Sequence, residues 1–543
     1  MSDATVAAGN LRTRAAGTDS PKKVAPAQGW TPAFNPWLIA ASVMLATFME
    51  VLDTSVANVS LPYIAGNLSA TTEESTWVLT SYLISNAIIL PATGWLGRYF
   101  GRKRFLVVCI AIFTIASAAC GAATSLGFLL FARVLQGAGG GALQPIAQAV
   151  LLESFPPEKR GSAIALYGLG IVVAPIIGPT LGGWVTDNYS WRWIFYINVP
   201  IGILAMFMTN AFVEDPPYIK TQKPGQIDYI GFGLMALGLS SLQIVLDKGQ
   251  ELDWFGSVFI TWAAVLAGVA LVGFVVWELT TPEPIVNLRV LANRNFAVGT
   301  VLIALFGSVL YGTIALLPLF LQTLIGYPAL QSGLAVSPRG IGAVASMLIV
   351  GRLINKVDGR YLIMFGFALI GVSTYMLSDI DIQISMGSIV GPQVVAGLAI
   401  GFVFVPMTIM ATGTVANEQL GNATGIFNLM RNLGGSFGIA GVTTLLARGA
   451  QLHQSEMVYH LTPYDPVFQE RLAQLASVLS ANGNPASAPG QAYGALYQTL
   501  LGQATMLAYI DIFRLLAFLC IICIPVALVF RKVRSTRVAP SLH

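Results

Sequence analysis

The chain has 543 residues, of which 55% are hydrophobic and only 10% charged, where an average soluble domain carries roughly 25% charged residues. That composition excludes a water-soluble globule and places most of the chain in lipid. The net charge of +4 comes from basic loops between apolar stretches, and without a basic groove interleaved with aromatics it gives no support to nucleic-acid binding.

Residues 1–36 are polar, rich in Ala and Pro, and carry Arg12, Arg14, Lys22 and Lys23. No short apolar core with a cleavage site precedes the first full apolar stretch, so they read as a disordered cytoplasmic tail and not a signal peptide. A helix that crosses the hydrocarbon core needs roughly 20 apolar residues, because nothing there can satisfy an open backbone. The sequence predicts fourteen such spans, at 37–58, 78–97, 105–124, 128–150, 162–186, 193–213, 228–247, 256–278, 297–322, 332–354, 361–378, 386–411, 422–446 and 508–530. The fold class expected is therefore an all-α integral membrane protein. Basic residues crowd the tail, 98–104, 159–160, 220–223, 289–294, 352–360 and 531–537, while the opposite side holds only Arg192, Lys248, Arg448 and Arg471. Positive residues accumulate on cytoplasmic loops, so both termini are expected in the cytoplasm.

In the first span, Glu50 and Asp53 interrupt an apolar helix at i,i+3 and share one face. A carboxylate in hydrocarbon is unfavourable by several kcal/mol and normally faces a cavity or a partner on an ion or substrate path. Burial disfavours the charged form, which lets such a group exchange protons near neutral pH. The plainer alternative is a structural ion pair or helix–helix hydrogen bond, and Glu50 is also a candidate for an exposed contact to a cationic substrate. After the second span, Gly94-Trp95-Leu96 leads to Gly101-Arg102, a tight basic turn whose Arg102, Lys103 and Arg104 anchor helix ends, with gating as a second reading. Arg133 lies inside the fourth span, too deep for a loop charge. It needs an anionic partner, for which Asp53 is the obvious candidate, as a switchable pair or as a permanent clamp.

The fifth span carries Gly170, Ala174, Gly178 and Gly182 at intervals of four beside Pro175 and Pro179, a smooth stripe for a neighbouring helix bent by the prolines. A weak repeat follows in the tenth span, where Gly351-Arg352-Leu353 leads to Gly359-Arg360. It suggests two related six-helix halves around a central site, 37–213 and 297–530, with two inserted helices in 228–278. Further charges inside spans are Arg339, Arg431 beside Gly434, Gly435 and Gly438, and Asp511 with Arg514, spaced to pair. Residues 449–506 read as one long loop on the non-cytoplasmic side with a helical stretch near 470–479, and 531–543 as a cytoplasmic tail.

The four cysteines, Cys109, Cys120, Cys520 and Cys523, all fall in spans, so neither a disulfide framework nor a metal knuckle is expected. His453, His460 and His543 fall outside every span, which leaves proton handling to carboxylates. Phe48, Met49, Tyr82, Tyr311, Phe402, Met407 and Arg431 are candidates for lining a substrate pocket. There is no phosphate loop, no H-E-x-x-H and no nucleophile elbow, so neither ATP-driven transport nor hydrolysis is expected, and no cofactor.

Four segments together resemble the fourteen-helix drug:proton antiporters of the major facilitator superfamily, most closely the EmrB type: 52–62 (LDTSVANVSLP), the Arg133 segment, 178–183 (GPTLGG) and 191–200 (WRWIFYINVP). The resemblance implies two six-helix bundles plus two inserted helices. It implies that Asp53 is the first-helix acid, that Arg133 is the arginine linked to proton coupling, and that Gly178, Pro179, Gly182 and Gly183 belong to the antiporter motif. The superfamily's cytoplasmic loop usually has an acid four residues after its first glycine. Arg98 stands there instead, which argues against a charge-relay gate, although the EmrB-type branch also tends to lack the acid. The expected activity is export of hydrophobic or amphipathic compounds across a bacterial inner membrane in exchange for protons. The likeness further implies a periplasmic adaptor and an outer-membrane channel as partners, with 449–506 as docking surface. Import of an organic nutrient with protons and a non-transporting sensor or scaffold are the competing readings.

Overall fold

In a computed structural model, residues 32–217, 227–381, 384–459, 461–482 and 486–531 are described. The expected tails, the 220–223 segment, His460 and His543 lie outside these residues, apart from 32–36 and Arg531.

The first half begins with α1 (Pro36–Val59), started by Pro36 and by Asn35, whose side chain accepts from Trp37 N at 3.0 Å. Helix α2 (Leu61–Asn67) is a short continuation, and α3 (Thr72–Phe100) opens with a capping box between Thr71 and Glu74. Gly101, at φ +82°, turns the chain sharply into α4 (Arg102–Gly121), a conformation that a side chain would strain. Next come α5 (Leu126–Gly140), α6 (Leu143–Ser154), α7 (Pro157–Asn188), α8 (Trp193–Tyr196) and α9 (Asn198–Phe212). Helix α7 runs unbroken through Pro175 and Pro179.

Helices α10 (Tyr229–Lys248) and α11 (Val258–Thr280) pack on each other, and α10 also touches α3. The second half comprises α12 (Arg294–Thr323), α13 (Ala329–Val336), α14 (Pro338–Leu353), α15 (Gly359–Met376), α16 (Met386–Thr412), α17 (Leu420–Val458), α18 (Pro466–Asn482) and α19 (Ala488–Val526). Within it α12 packs on α17, α14 and α15 on α16, and α19 on α15 and α17. Contact between the halves runs through α3 with α17, α7 with α14 and α16, and α6 with α17.

Thirteen helices among the described residues are long and apolar enough to cross a membrane, one fewer than the fourteen expected. The expected span 422–446 lies in α17, a 39-residue helix packed against α12, α19 and α3. Its first turns bury Asn422, Thr424, Asn428 and Arg431. These polar side chains face other helices and not lipid, and they lower its mean apolarity.

The expected loop 449–506 is mostly helix. Helices α17 and α19 are each 39 residues long, about 58 Å at a rise of 1.5 Å per residue, which exceeds a bilayer of roughly 40–45 Å with its headgroups. The ends of both helices and α18 form a helical extension beyond the apolar zone. His453 therefore sits on a helix. Its Nε2 lies 2.8 Å from Asp511 Oδ2, so Asp511 joins α17 to α19 instead of pairing with Arg514. The four cysteines are buried and free.

Candidate functional site

Two buried polar clusters meet on α1. In the first, Asp53 Oδ2 accepts from Arg133 NH1 at 2.6 Å, while Oδ1 accepts from Gln136 Nε2 at 2.8 Å and from Asn198 Nδ2 at 2.7 Å. Arg133 also donates to Gln136 Oε1 at 2.8 Å and, through Nε, to the Val78 carbonyl at 3.0 Å. Its guanidinium carbon lies 4.4 Å from the Tyr82 ring centroid and 5.6 Å from that of Phe195. Asp53 is 2% exposed and Arg133 is fully buried. Charge-assisted bonds from three donors hold this carboxylate, and every partner belongs to the first half.

The second cluster surrounds Glu50, one turn away. It accepts from Tyr82 Oη at 3.1 Å, Asn86 Nδ2 at 3.3 Å and Gln144 Nε2 at 2.6 Å. No ion pair forms there. Gln144 Oε1 instead accepts from Arg431 NH2 of α17, so one amide spans the carboxylate of one half and the cation of the other. Glu50 is buried, which corrects the expected exposed contact to a cationic substrate. One turn along α6, Gln148 Oε1 accepts from Asn428 Nδ2 at 2.7 Å. Gln144 and Gln148 thus face Arg431 and Asn428 as two rungs between the halves.

The run Gly137 to Gly141 (GAGGG) permits this convergence. A Cβ on Gly139 would lie 2.7 Å from Phe113 N, and one on Gly140 would lie 2.6 Å from Tyr82 Oη and 3.4 Å from Glu50 Cγ. The antiporter-motif stripe on α7 meets α1 in a similar way, bringing α1 and α7 to backbone distance. A Cβ on Gly178 would sit 2.5 Å from Ser55 Cβ, and one on Gly182 would sit 2.8 Å from Val56 Cγ1. Gly183 lies outside that seam, with only Val59 Cγ1 at 4.0 Å, and Pro179 is only half-buried.

On the basic face, the halves touch closely. Gly94 packs on the Asn422 backbone and Gly161 on Ile354, Ser162 Oγ donates to the Gly351 carbonyl at 3.2 Å, and Asn355 Nδ2 donates to the Glu158 carbonyl at 2.7 Å. Arg102, expected to anchor a helix end, opens α4. It is 4% exposed and pairs with Glu153 of α6. Gly434 and Gly438 pack on α12 at Ala304 and Ser308, and Gly435 on the Tyr311 ring, so the glycines beside Arg431 serve helix contact.

The expected pocket residues sit in different surroundings. Met49 and Met407 are fully buried in the apolar core, Phe402 makes an edge contact to Phe365, and Tyr82 belongs to the polar clusters. Phe48 is half-buried against the smaller apolar cluster. An open groove of about 560 Å³ runs between α7 and α14 along Val173, Ile176, Gly340, Ile341, Val344 and Leu348, and its lining includes none of them. Gln136, Gln144, Asn86 and Asn198 were not anticipated as site residues. The glycine run and the WRWIFYINVP segment carrying Asn198 were the available signals.

Spans that enclose a buried ion pair and a second carboxylate, with polar rungs between two helix sets, define a multi-pass membrane transporter. The Major Facilitator Superfamily profile matches residues 43–439, and the chain belongs to that superfamily, whose members are transporters and not enzymes. It is 38% identical over 488 residues to the fatty acid resistance protein FarB of Neisseria gonorrhoeae, covering 90% of this chain and 94% of that protein. It is also 38% identical over 477 residues to the multidrug export protein EmrB of Escherichia coli K12, covering 88% and 91%. Among solved structures it resembles the human organic anion transporter MFSD10, at TM-score 0.58 and 12% identity over 90% of this chain and all of that one. The proton:xylose symporter XylE gives TM-score 0.56 and 14% identity, over 87% and 94%. At those identities the likeness is one of fold.

Proposed function

We propose that the protein is a proton-driven antiporter that exports hydrophobic or amphipathic compounds by alternating access between its two helix sets, 37–213 and 297–530, with 228–278 as an inserted pair. The observation that carries this reading is Asp53, a carboxylate only 2% exposed, held by Arg133 and Gln136 of α5 and by Asn198 of α9. Protonation of Asp53 removes its charge and frees Arg133 and two amides at once, a change large enough to repack α1 against α5 and α9. The 38% identity to a multidrug exporter and to a fatty acid resistance protein over most of the chain supports the substrate class.

The contacts across the basic face support a state closed on that side. With the basic loops in the cytoplasm, this state faces outward, and release of substrate would be exchanged for proton entry to Asp53. A membrane potential of 100 mV supplies about 2.3 kcal/mol per charge, enough for a roughly 50-fold gradient. The inner membrane is the proposed location, both termini are placed in the cytoplasm, and no cofactor is required beyond the proton gradient. The extension of α17, α18 and α19 is proposed as the docking surface for a periplasmic adaptor and outer-membrane channel.

The test is purified protein in liposomes holding a pH-sensitive dye, with an imposed pH gradient and a panel of lipophilic cations, weak acids and neutral compounds. Substrate-dependent proton flux should appear and vanish in Asp53→Asn while insertion stays intact. Undiminished export by Asp53→Asn would refute the assignment.

A further inference from the structure

The inserted helices hold two carboxylates that the antiport reading does not use. Asp228 caps α10, its Oδ1 accepting from Gly231 N at 2.8 Å and from Trp277 Nε1 of α11 at 2.9 Å. Glu278, in the last turn of α11, is 0% exposed, and its Oε2 accepts from Val286 N at 3.2 Å. Asp228 Oδ2 and Glu278 Oε1 are both enclosed without a hydrogen-bond partner. Each lies within 3 Å of one point, where a Cβ on Gly231 would stand. They are therefore no more than about 6 Å apart, close enough for two carboxylates to act on one another. Among the described residues neither forms an ion pair. Of the charged groups on elements packed against them, Arg289 donates to the Leu279 carbonyl at 3.1 Å, Arg98 of α3 interacts with Arg102 and Glu283, and Arg431 of α17 bonds Gln144. Asp247 and Lys248 lie at the far end of α10.

Two ionised carboxylates in one enclosed site are unfavourable. One shared proton turns them into a charge-assisted O–H···O bond and gives both idle oxygens a partner. A divalent cation fits less well, because it needs about six oxygen ligands and the other groups bonded to these carboxylates are N–H donors from Trp277, Gly231 and Val286. Through Val286 the two acids reach the closure of the basic face. Asn287 N donates to Asn422 Oδ1 and Asn422 Nδ2 donates to the Asn287 carbonyl, each at 3.0 Å. The Asn422 backbone is where Gly94 of α3 packs.

We propose that Asp228 and Glu278 form a second proton-binding site, with one proton held between their unpartnered oxygens, and that its loss withdraws Glu278 from Val286 and loosens the contact between α17 and α3. The site lies outside the Asp53 cluster and stands whether or not the protein is an antiporter.

The experiment uses the full-length protein in nanodiscs and follows a pH titration by infrared difference spectroscopy. A protonated-carboxyl band should persist in Asp53→Asn and be lost in both Asp228→Asn and Glu278→Gln, where an amide N–H takes the place of the shared proton. Spin labels on cysteines replacing Lys159 and Lys356, exposed residues beside the Glu158–Asn355 contact, report closure of the basic face, the four native cysteines being buried. In the wild type the closed-to-open ratio should fall roughly tenfold as pH rises, the effect of one hydrogen bond to a charged group. In Glu278→Gln, which keeps an acceptor for Val286, it should stay high at every pH. Retention of the band and of the pH response by both variants overturns the proposal. So does a sodium- or magnesium-dependent gain in thermal stability that both variants lose, since that would put a metal ion between the oxygens. Loss of the band with an unchanged label response supports the proton site and overturns its link to closure. Should Glu278→Gln not elute as a single species, Asp228→Asn decides, because its remaining oxygen keeps the Trp277 and Gly231 bonds. Substrate-driven proton flux in liposomes reads the antiport assignment separately.

Discussion

The two acids of α1 sit one turn apart in very different company. Asp53 has a cation in direct contact and two amides, all from the first half of the chain, and nothing from the second. Glu50 has no cation in contact, and its shortest bond, from Gln144, leads to Arg431 in the second half. A carboxylate saturated within one rigid body holds that body together and changes it only when the proton arrives. A carboxylate bridged to the other body by a single amide senses whether the two bodies are in register. Under the antiport proposal, the difference gives Asp53 the role of proton capture and Glu50 that of communication between the halves.

Arg133→Ala is the harshest way to break that contrast. It leaves Asp53 buried without a cation, and loss of one partner of a buried pair is unfavourable by about 3–5 kcal/mol. Unfolding in mild detergent should show a loss of that size together with abolished proton exchange. Arg431→Ala removes a cation that touches no carboxylate, so its loss should be clearly smaller. Equal losses for the two variants would mean that the clusters are energetically alike and that the division of roles is wrong.

Gln144→Leu isolates the bridge. It removes one bond to a charged group on each side, worth about 1.5–3 kcal/mol each at most, while Tyr82 and Asn86 still hold Glu50. The protein should fold, and substrate-dependent proton flux should slow by roughly tenfold, since 1.4 kcal/mol corresponds to a factor of ten. Flux at the wild-type rate would reduce Gln144 to a packing residue.

How much of this was legible from the residues follows from contrast. Asp53, Glu50 and Arg133 stand out because charges inside apolar spans are rare and need a reason. Gln144, Gln136 and Asn198 do not stand out, because neutral amides occur in membrane helices as ordinary interhelical glue. Their role depends on what faces them. The i,i+3 spacing put Glu50 and Asp53 on one face, yet a turn of separation carries them into separate clusters, which spacing alone does not disclose. Met49 and Met407 were expected at a pocket and lie in the core. In helices apolar on every side, periodicity cannot tell lining from packing. The extension of α17 to α19 reads in the sequence as a loop with one helical stretch near 470–479, which α18 contains, because a helix outside the bilayer needs no apolar run. Pro466, at the first position of α18, was the local sign that a helix begins there.

Tyr82→Phe is the mildest test and the one that touches both clusters. The Tyr82 hydroxyl donates to Glu50 at 3.1 Å while its ring lies under Arg133 at 4.4 Å. Phenylalanine keeps the ring and removes only the hydroxyl, so the Arg133 side should be untouched and the Glu50 side should lose one bond, about 0.5–1.5 kcal/mol. Proton exchange should slow by a few-fold, with stability in detergent close to wild type. Tyr82→Leu also removes the ring and should add a loss of stability of about 2 kcal/mol or less from the cation–π contact, beyond any change in packing. If Tyr82→Phe destabilised the protein as much as Tyr82→Leu, the hydroxyl would be supporting Asp53 through Glu50, and the two acids would have to be treated as one coupled unit.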